Sequence, residues 1–254
     1  MRALFGFHLV CCFFKMRKQI PNIITLLNLF CGTIAVVLAV QGRLDWAFFF
    51  VALGIFFDFF DGFFARLLNV KSDLGLQLDS LADMVTSGVV PGVGMFQLLS
   101  KSDFVTQNGG LFSEIFPYFG FLITLASAYR LAKFNIDTRQ TTGFIGLPTP
   151  ANALFILSLP VILQYHSADL FQNVLQNTWI LAGITLLSSY MLNAEIPLFA
   201  LKFKDYSFQN NKIKYMFLIV SVLGLLFFQL IAIPMIIVLY VIISIFQNRC
   251  SCKL

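Results

Sequence analysis

Apolar residues run along this chain in long blocks separated by short polar connections, without the strict alternation of a transmembrane β-barrel. Eight blocks stand out, at about Ile20 to Val40, Trp46 to Leu68, Gln77 to Leu99, Leu111 to Phe134, Pro150 to Tyr165, Thr178 to Leu192, Ile213 to Gln229 and Ala232 to Phe246. Several reach the roughly 20 residues that cross about 30 Å of hydrocarbon as helix. The pattern therefore predicts an all-α fold, a polytopic membrane helical bundle of about eight transmembrane helices. The last two blocks together would make a helix of about 51 Å at 1.5 Å per residue, too long for one crossing. Pro234 and basic flanks at both ends predict a tight hairpin there.

Composition agrees. The chain is 59% hydrophobic and 11% charged, less than half the charged share of soluble domains, which is about a quarter. A net charge of +5 raises the question of nucleic acid, but the basic residues are scattered in loops between apolar blocks rather than gathered on a polar domain. They read as topology signals. With a cytosolic N-terminus, an eight-span count leaves only Arg43 and Lys101 outside among the 17 basic residues, a strong positive-inside bias. The 5 cysteines show no metal-ligand spacing, and their odd number argues against a disulfide framework. His8 and His166 have no partner at metal or triad spacing.

No linker, low-complexity tract or internal repeat divides the chain, so residues 16–254 are expected to form one domain. Residues 1–15 are set apart as an N-terminal extension, because Met16 opens a short basic leader, Met-Arg-Lys-Gln-Ile-Pro, directly before the first block.

The candidate chemistry lies in one segment. Asp58 and Asp61 stand at i and i+3 near the end of the second block, and Asp79 and Asp83 at i and i+4 at the start of the third. Each pair shares a helix face. With about eight residues between them, the two helices are expected to be antiparallel neighbours whose acidic faces meet near the cytosolic surface. Ionised groups in hydrocarbon are costly and like charges repel, so such a cluster is functional by default. Divalent cations resolve both costs. Oxygen ligands without His or Cys suit Mg²⁺ or Mn²⁺, and four aspartates suffice for two ions. Gly62 and Gly75 would let a nucleotide approach the backbone, and Arg66 offers a fork of donors to phosphate. The plainer alternative, in which the acids pair with Arg66 and Lys71 as interfacial charges, fits poorly with the phenylalanines that flank Asp58 and Asp61.

The spacing D-x2-D-G-x2-A-R-x8-G-x3-D-x3-D from Asp58 to Asp83 is matched at every fixed position, and it resembles the signature of the CDP-alcohol phosphatidyltransferases. Further stretches are similar to the bacterial phosphatidylserine synthases within that family: IPNIITLLNLFCG at Ile20 to Gly32, LDSLADMVTSGVVPG at Leu78 to Gly92, YRLAKFN at Tyr129 to Asn135 and FIGLPTPANA at Phe144 to Ala153. The resemblance implies a CDP-alcohol phosphatidyltransferase fold in the bacterial cytoplasmic membrane, with CDP-diacylglycerol and L-serine as substrates. Asp58, Asp61, Asp79 and Asp83 would hold two divalent ions, with Asp83 also the general base. Asn22, Gly62, Arg66, Ser72 and Gly75 would contact the CDP-lipid. It also suggests a homodimer.

Arg130, Lys133 and Asn135 end the fourth block on the side of the aspartates, where they are expected to hold the acceptor. Topology explains the two cations nearly as well. Arg139 reads as a surface charge, and Glu195 and Asp205 carry no assigned role. Two other functions stay open: the same chemistry with glycerol 3-phosphate or an inositol phosphate as acceptor, and a cation-coupled transporter whose aspartates bind the permeating ion. Matched halves with broken helices would favour the transporter, and the sequence shows no such symmetry.

Overall fold

The computed structural model describes residues 2–70, 72–137, 144–165, 169–198 and 211–251. Lys71, Arg139, His166 and Asp205 lie outside the described residues, as do the side chains of His8 and Met16. Helix α1 (Arg2–Val40) continues through Pro21, where the sequence suggested a helix start. A proline inside a helix removes its own N–H from the ladder and crowds the carbonyl four residues earlier, but the turns on either side retain their hydrogen bonds. Helix α2 (Leu44–Leu67) follows after a tight turn at Gly42, whose φ of 77° is open to glycine.

Helix α3 (Asp73–Asp83) begins four residues before the predicted block, because Ser72 caps it: its hydroxyl accepts from the Gly75 N–H at 3.0 Å. A π-helical turn (Met84–Val89) leads directly into α4 (Val90–Ser100), the Val90 N–H donating to the Val85 carbonyl across one surplus residue. Two short helices, α5 (Asp103–Gln107) and α6 (Leu111–Ile115), and a 3₁₀ segment (Phe116–Phe121) precede α7 (Leu122–Ile136). Then come α8 (Thr149–Tyr165), α9 (Asp169–Gln176) and α10 (Thr178–Asn193). A two-residue antiparallel pair, β1 (Phe144–Ile145) with β2 (Pro197–Leu198), ties the approaches to α8 and from α10 together.

The predicted hairpin is present. Helix α11 (Lys212–Phe228) and helix α12 (Ala232–Ser251) lie antiparallel, with the rings of Phe217 and Tyr240 5.9 Å apart. The break falls at Gln229, with φ 48°, five residues before Pro234. Pro234 instead sits in the first turn of α12, where its missing N–H has no helical partner to lose.

Four helical stretches, Gln19–Val40, Leu44–Leu67, Leu111–Ile136 and Lys212–Gln247, are long and apolar enough to cross a membrane, the last long enough for the two legs of the hairpin. Core and periphery have the polarity of such a protein. Small residues of α1 (Ala35, Ala39) and α2 (Ala47, Val51) pack against Val90 and Val93 of α4 and Ala153 and Leu157 of α8. A second core carries α4 (Met95, Leu98, Leu99) onto Ile123, Ile156 and Leu181. Large apolar side chains such as Phe49, Phe56, Phe59, Leu187 and Phe227 remain outside, which is stable only if hydrocarbon surrounds them.

The two acidic helices meet through their carboxylate side chains rather than along their backbones. Helix α1 packs along both α2 and α3, whereas the backbones of α2 and α3 scarcely meet among the described residues. The expected meeting of the acidic faces occurs at the side chains, where Asp58, Asp61 and Asp79 come within 4.8 Å, while the backbones of α2 and α3 stand apart over a cleft floored by α1.

Candidate active site

That cleft, of about 530 Å³, is lined by Pro21, Asn22 and Thr25 from α1, Asp61, Gly62 and Ala65 from α2, and Ser72, Asp73, Gly75 and Asp79 from the start of α3, with Val70 and Leu76. A larger cavity of about 730 Å³ between α11 and α12 is walled by apolar side chains. Only the first offers chemistry.

Within the acidic segment, Asp58, Asp61 and Asp79 each present a carboxylate oxygen, and these atoms lie within 4.8 Å of one another. Helical spacing sets this: three residues separate the two acids on α2, and Asp79 comes from the facing helix. Asp83, one turn beyond Asp79, is close enough to interact with the charges of Asp79 and Asp61. Asp61 is 7% exposed, and none of the four forms an ion pair with a lysine or arginine among the described residues. Clustered oxygen ligands without a protein cation fit a hard divalent ion, whose charge offsets both repulsion and desolvation.

Helix α1 supplies the support that sequence reasoning missed. The Thr25 hydroxyl is shared between the Pro21 carbonyl, at 3.0 Å, and Asp61 Oδ2 in a short contact. Asn28, fully buried, donates from Nδ2 to Asp83 Oδ1 at 3.4 Å. A signal for both existed. Asn22, Thr25, Asn28 and Gly32 recur at intervals of three and four in a block that is otherwise apolar, which sets them on one helix face.

The residues expected to contact the CDP-lipid are distributed unevenly. Asn22, Gly62, Ser72 and Gly75 line the cleft. Gly75 sits in a tight place, where a Cβ would stand 3.1 Å from Asn22 Oδ1 and 3.0 Å from Ser72 Oγ and both side chains would have to give way. Arg66 is exposed and folds back along its own helix, Nε donating to the Gly62 carbonyl at 2.9 Å. Its guanidinium lies at the rim rather than in the wall.

The three acceptor-side residues part company. Arg130 is 7% exposed, close enough to Asp83 to interact with its charge, and its Nε has no hydrogen-bond partner. Its Cζ stands 5.9 Å from the Phe134 ring centroid. Lys133 pairs with Glu195 at 3.2 Å, an exposed contact of at most about 1 kcal/mol. Asn135 Nδ2 donates to Ser80 Oγ at 2.8 Å, bracing α7 against α3.

A helical membrane protein with convergent carboxylates in a polar cleft is built to handle a charged, phosphate-bearing group at a lipid surface. Residues 18–187 match the CDP-alcohol phosphatidyltransferase family, and the chain belongs to it. It is 37% identical over 162 residues to the CDP-diacylglycerol–serine O-phosphatidyltransferase of Bacillus subtilis (strain 168), covering 60% of this chain and 84% of that protein. The protein of the same name from Methanocaldococcus jannaschii is 33% identical over 177 residues, 69% of this chain and 75% of its own length. The archaetidylserine synthase of Methanothermobacter thermautotrophicus is 31% identical over 142 residues, with 55% and 56% covered.

Proposed function

We propose that this chain transfers the phosphatidyl group of CDP-diacylglycerol to the hydroxyl of L-serine, giving phosphatidylserine and CMP. The observation that carries the reading is the convergence of Asp58, Asp61 and Asp79 within 4.8 Å beside a cleft lined in part by Gly62 and Gly75. The names of the relatives support serine as acceptor.

In this reading Asp58, Asp61, Asp79 and Asp83 hold two divalent ions, Mg²⁺ or Mn²⁺. Such ions, held by these residues, would supply positive charge to offset the pyrophosphate and the leaving CMP. The chain's own residues do the rest. Asn22, Ser72 and Gly75 seat the nucleotide against α1 and α3, and Arg66 meets phosphate at the rim. Asp83 is held through Oδ1 by Asn28, which leaves Oδ2 to accept the serine hydroxyl proton. The serine oxygen then forms its bond to the diacylglycerol-linked phosphorus as the bond from that phosphorus to the CMP oxygen breaks. Arg130, buried with an unpaired Nε, receives the serine carboxylate. A phosphorylated acceptor would bring more negative charge to a place where Lys133 is already paired with Glu195.

The positive-inside distribution supports a cleft facing the cytosol from the bacterial cytoplasmic membrane, and we extend the reading to a homodimer on family grounds. Labelled serine, glycerol 3-phosphate and inositol phosphate, each offered with CDP-diacylglycerol and Mn²⁺ or Mg²⁺, test the acceptor. Label is expected in chloroform-soluble lipid from serine alone. Label from glycerol 3-phosphate instead would replace the assignment, and no CMP release with any alcohol would favour transport.

The anchor on Asp61 gives a second test. Thr25→Val keeps the shape and removes the hydroxyl, so the half-saturating Mn²⁺ concentration for CMP release should rise about tenfold, the usual loss for a residue supporting a ligand. An unchanged value would show that Asp61 needs no such support.

A further inference from the structure

Directly below Asp83, three helices meet at one point. Thr86, in the π turn, is fully buried, and its hydroxyl lies 2.9 Å from Asn28 Oδ1 and 3.3 Å from the Asn28 carbonyl. The notch it occupies is cut by two glycines. A Cβ on Gly54 of α2 would stand 2.8 Å from both Asn28 Oδ1 and Thr86 Cγ2, and one on Gly32 of α1 would collide with Thr86 Oγ1. A side chain at either glycine would displace the threonine, the asparagine or both.

The hydrogen-bond chemistry of this pair has one consistent direction. An ionised Asp83 only accepts, so the NH₂ side of the Asn28 amide must face it. The carbonyl side then faces Thr86, whose hydroxyl donates. Apart from its backbone carbonyl, Asn28 is thus held at Oδ1 by Thr86 and itself holds Asp83 Oδ1 at Nδ2.

We infer that Thr86 and Asn28 form a positioning relay that fixes the orientation of the Asp83 carboxylate from beneath the cleft. The relay rests on the reading of Asp83 as the base. Its purpose is angular: with Oδ1 tethered, Oδ2 is turned toward the acceptor, and the two helices bearing the acids are referenced to α1 at the same point. Serine and threonine elsewhere in these helices commonly turn back on their own helix, as Ser80, Ser100, Thr185 and Ser244 do to the carbonyl four residues earlier. Thr86 instead crosses to α1.

Paired substitutions separate hydroxyl from shape. Thr86→Val retains the branched volume and loses the donor; Thr86→Ser retains the donor and loses the methyl against Gly54. In detergent-solubilised full-length protein, Thr86→Val is expected to lower kcat about tenfold or more with KM for serine and for CDP-diacylglycerol unchanged, and Thr86→Ser to recover most of that turnover. Placed on Asp83→Asn, Thr86→Val should cause no further loss, since both act through one carboxylate. If Thr86→Val does not elute as monodisperse protein, Thr86→Ala removes the hydroxyl without filling the notch and carries the same expectation. Full turnover in the variant lacking the hydroxyl, a Thr86→Ser variant as slow as Thr86→Val, or a parallel rise in both KM values overturns the relay. An unmodified chain that releases no CMP would fault the assigned reaction and the relay with it, whereas an active chain with unimpaired Thr86→Val faults the relay alone.

Discussion

Asp83→Asn is expected to lower turnover by about 10²–10⁴-fold, the span associated with a positioned general base, and largely to spare CDP-diacylglycerol binding. The division follows from where Asp83 sits. Asp58, Asp61 and Asp79 form the tight oxygen cluster, and Asp83 is beside them, tethered through one oxygen to Asn28. An amide in its place keeps size and can still meet Asn28 but cannot take a proton from a hydroxyl. Single-turnover release of CMP measures the loss, and retention of labelled CDP-diacylglycerol measures what is spared. Wild-type turnover in the variant would remove Asp83 from the chemistry.

Chelation of divalent ions with EDTA is expected to abolish phosphatidyl transfer, and added Mg²⁺ or Mn²⁺ to restore it. Charge stabilisation by a bound metal contributes several kcal/mol to the transition state, about three orders of magnitude in rate. No described lysine or arginine forms a salt bridge with the acids, and Arg130 interacts with the charge of Asp83 alone, so the Asp58, Asp61 and Asp79 cluster has no protein cation among the described residues to replace the lost charge. Asp61→Ala is expected to reproduce the chelated state even with metal in excess, because it removes the most buried member of the cluster. Activity that survives both treatments would mean that the carboxylates serve something other than a cation.

Much of this architecture was legible in the residue order. Each of the eight apolar blocks falls on helix, and the spacing of Asp58, Asp61 and Asp79 foretold their convergence because helical periodicity is local. What stayed hidden depends on contacts between distant segments. Helix α1 as the floor of the cleft, and the links from Thr25 to Asp61 and from Thr86 to Asn28, join positions 36 and 58 residues apart, which no window along the chain reveals. Ser72 was seen as a lipid contact and not as a cap, although its position three residues before Gly75 is that of a capping side chain. The short helices α5 and α6 and the pairing of β1 with β2 were also unforeseen, since stretches this brief take their form from the surfaces they bridge. The expectation for Lys133 ignored Glu195, 62 residues away.

The surplus residue between α3 and α4 carries a geometric obligation. At 3.6 residues per turn, each residue added or removed rotates everything downstream by about 100° about the helix axis. Upstream of the π turn the side chains that matter answer to the cleft; downstream, Val90, Val93, Met95 and Leu99 answer to the interior. Met84–Val89 is therefore a phase adjuster, letting one continuous helical rod satisfy two azimuths at once. Shortening it by a single residue would force a trade between chemistry and packing that no side-chain substitution could undo.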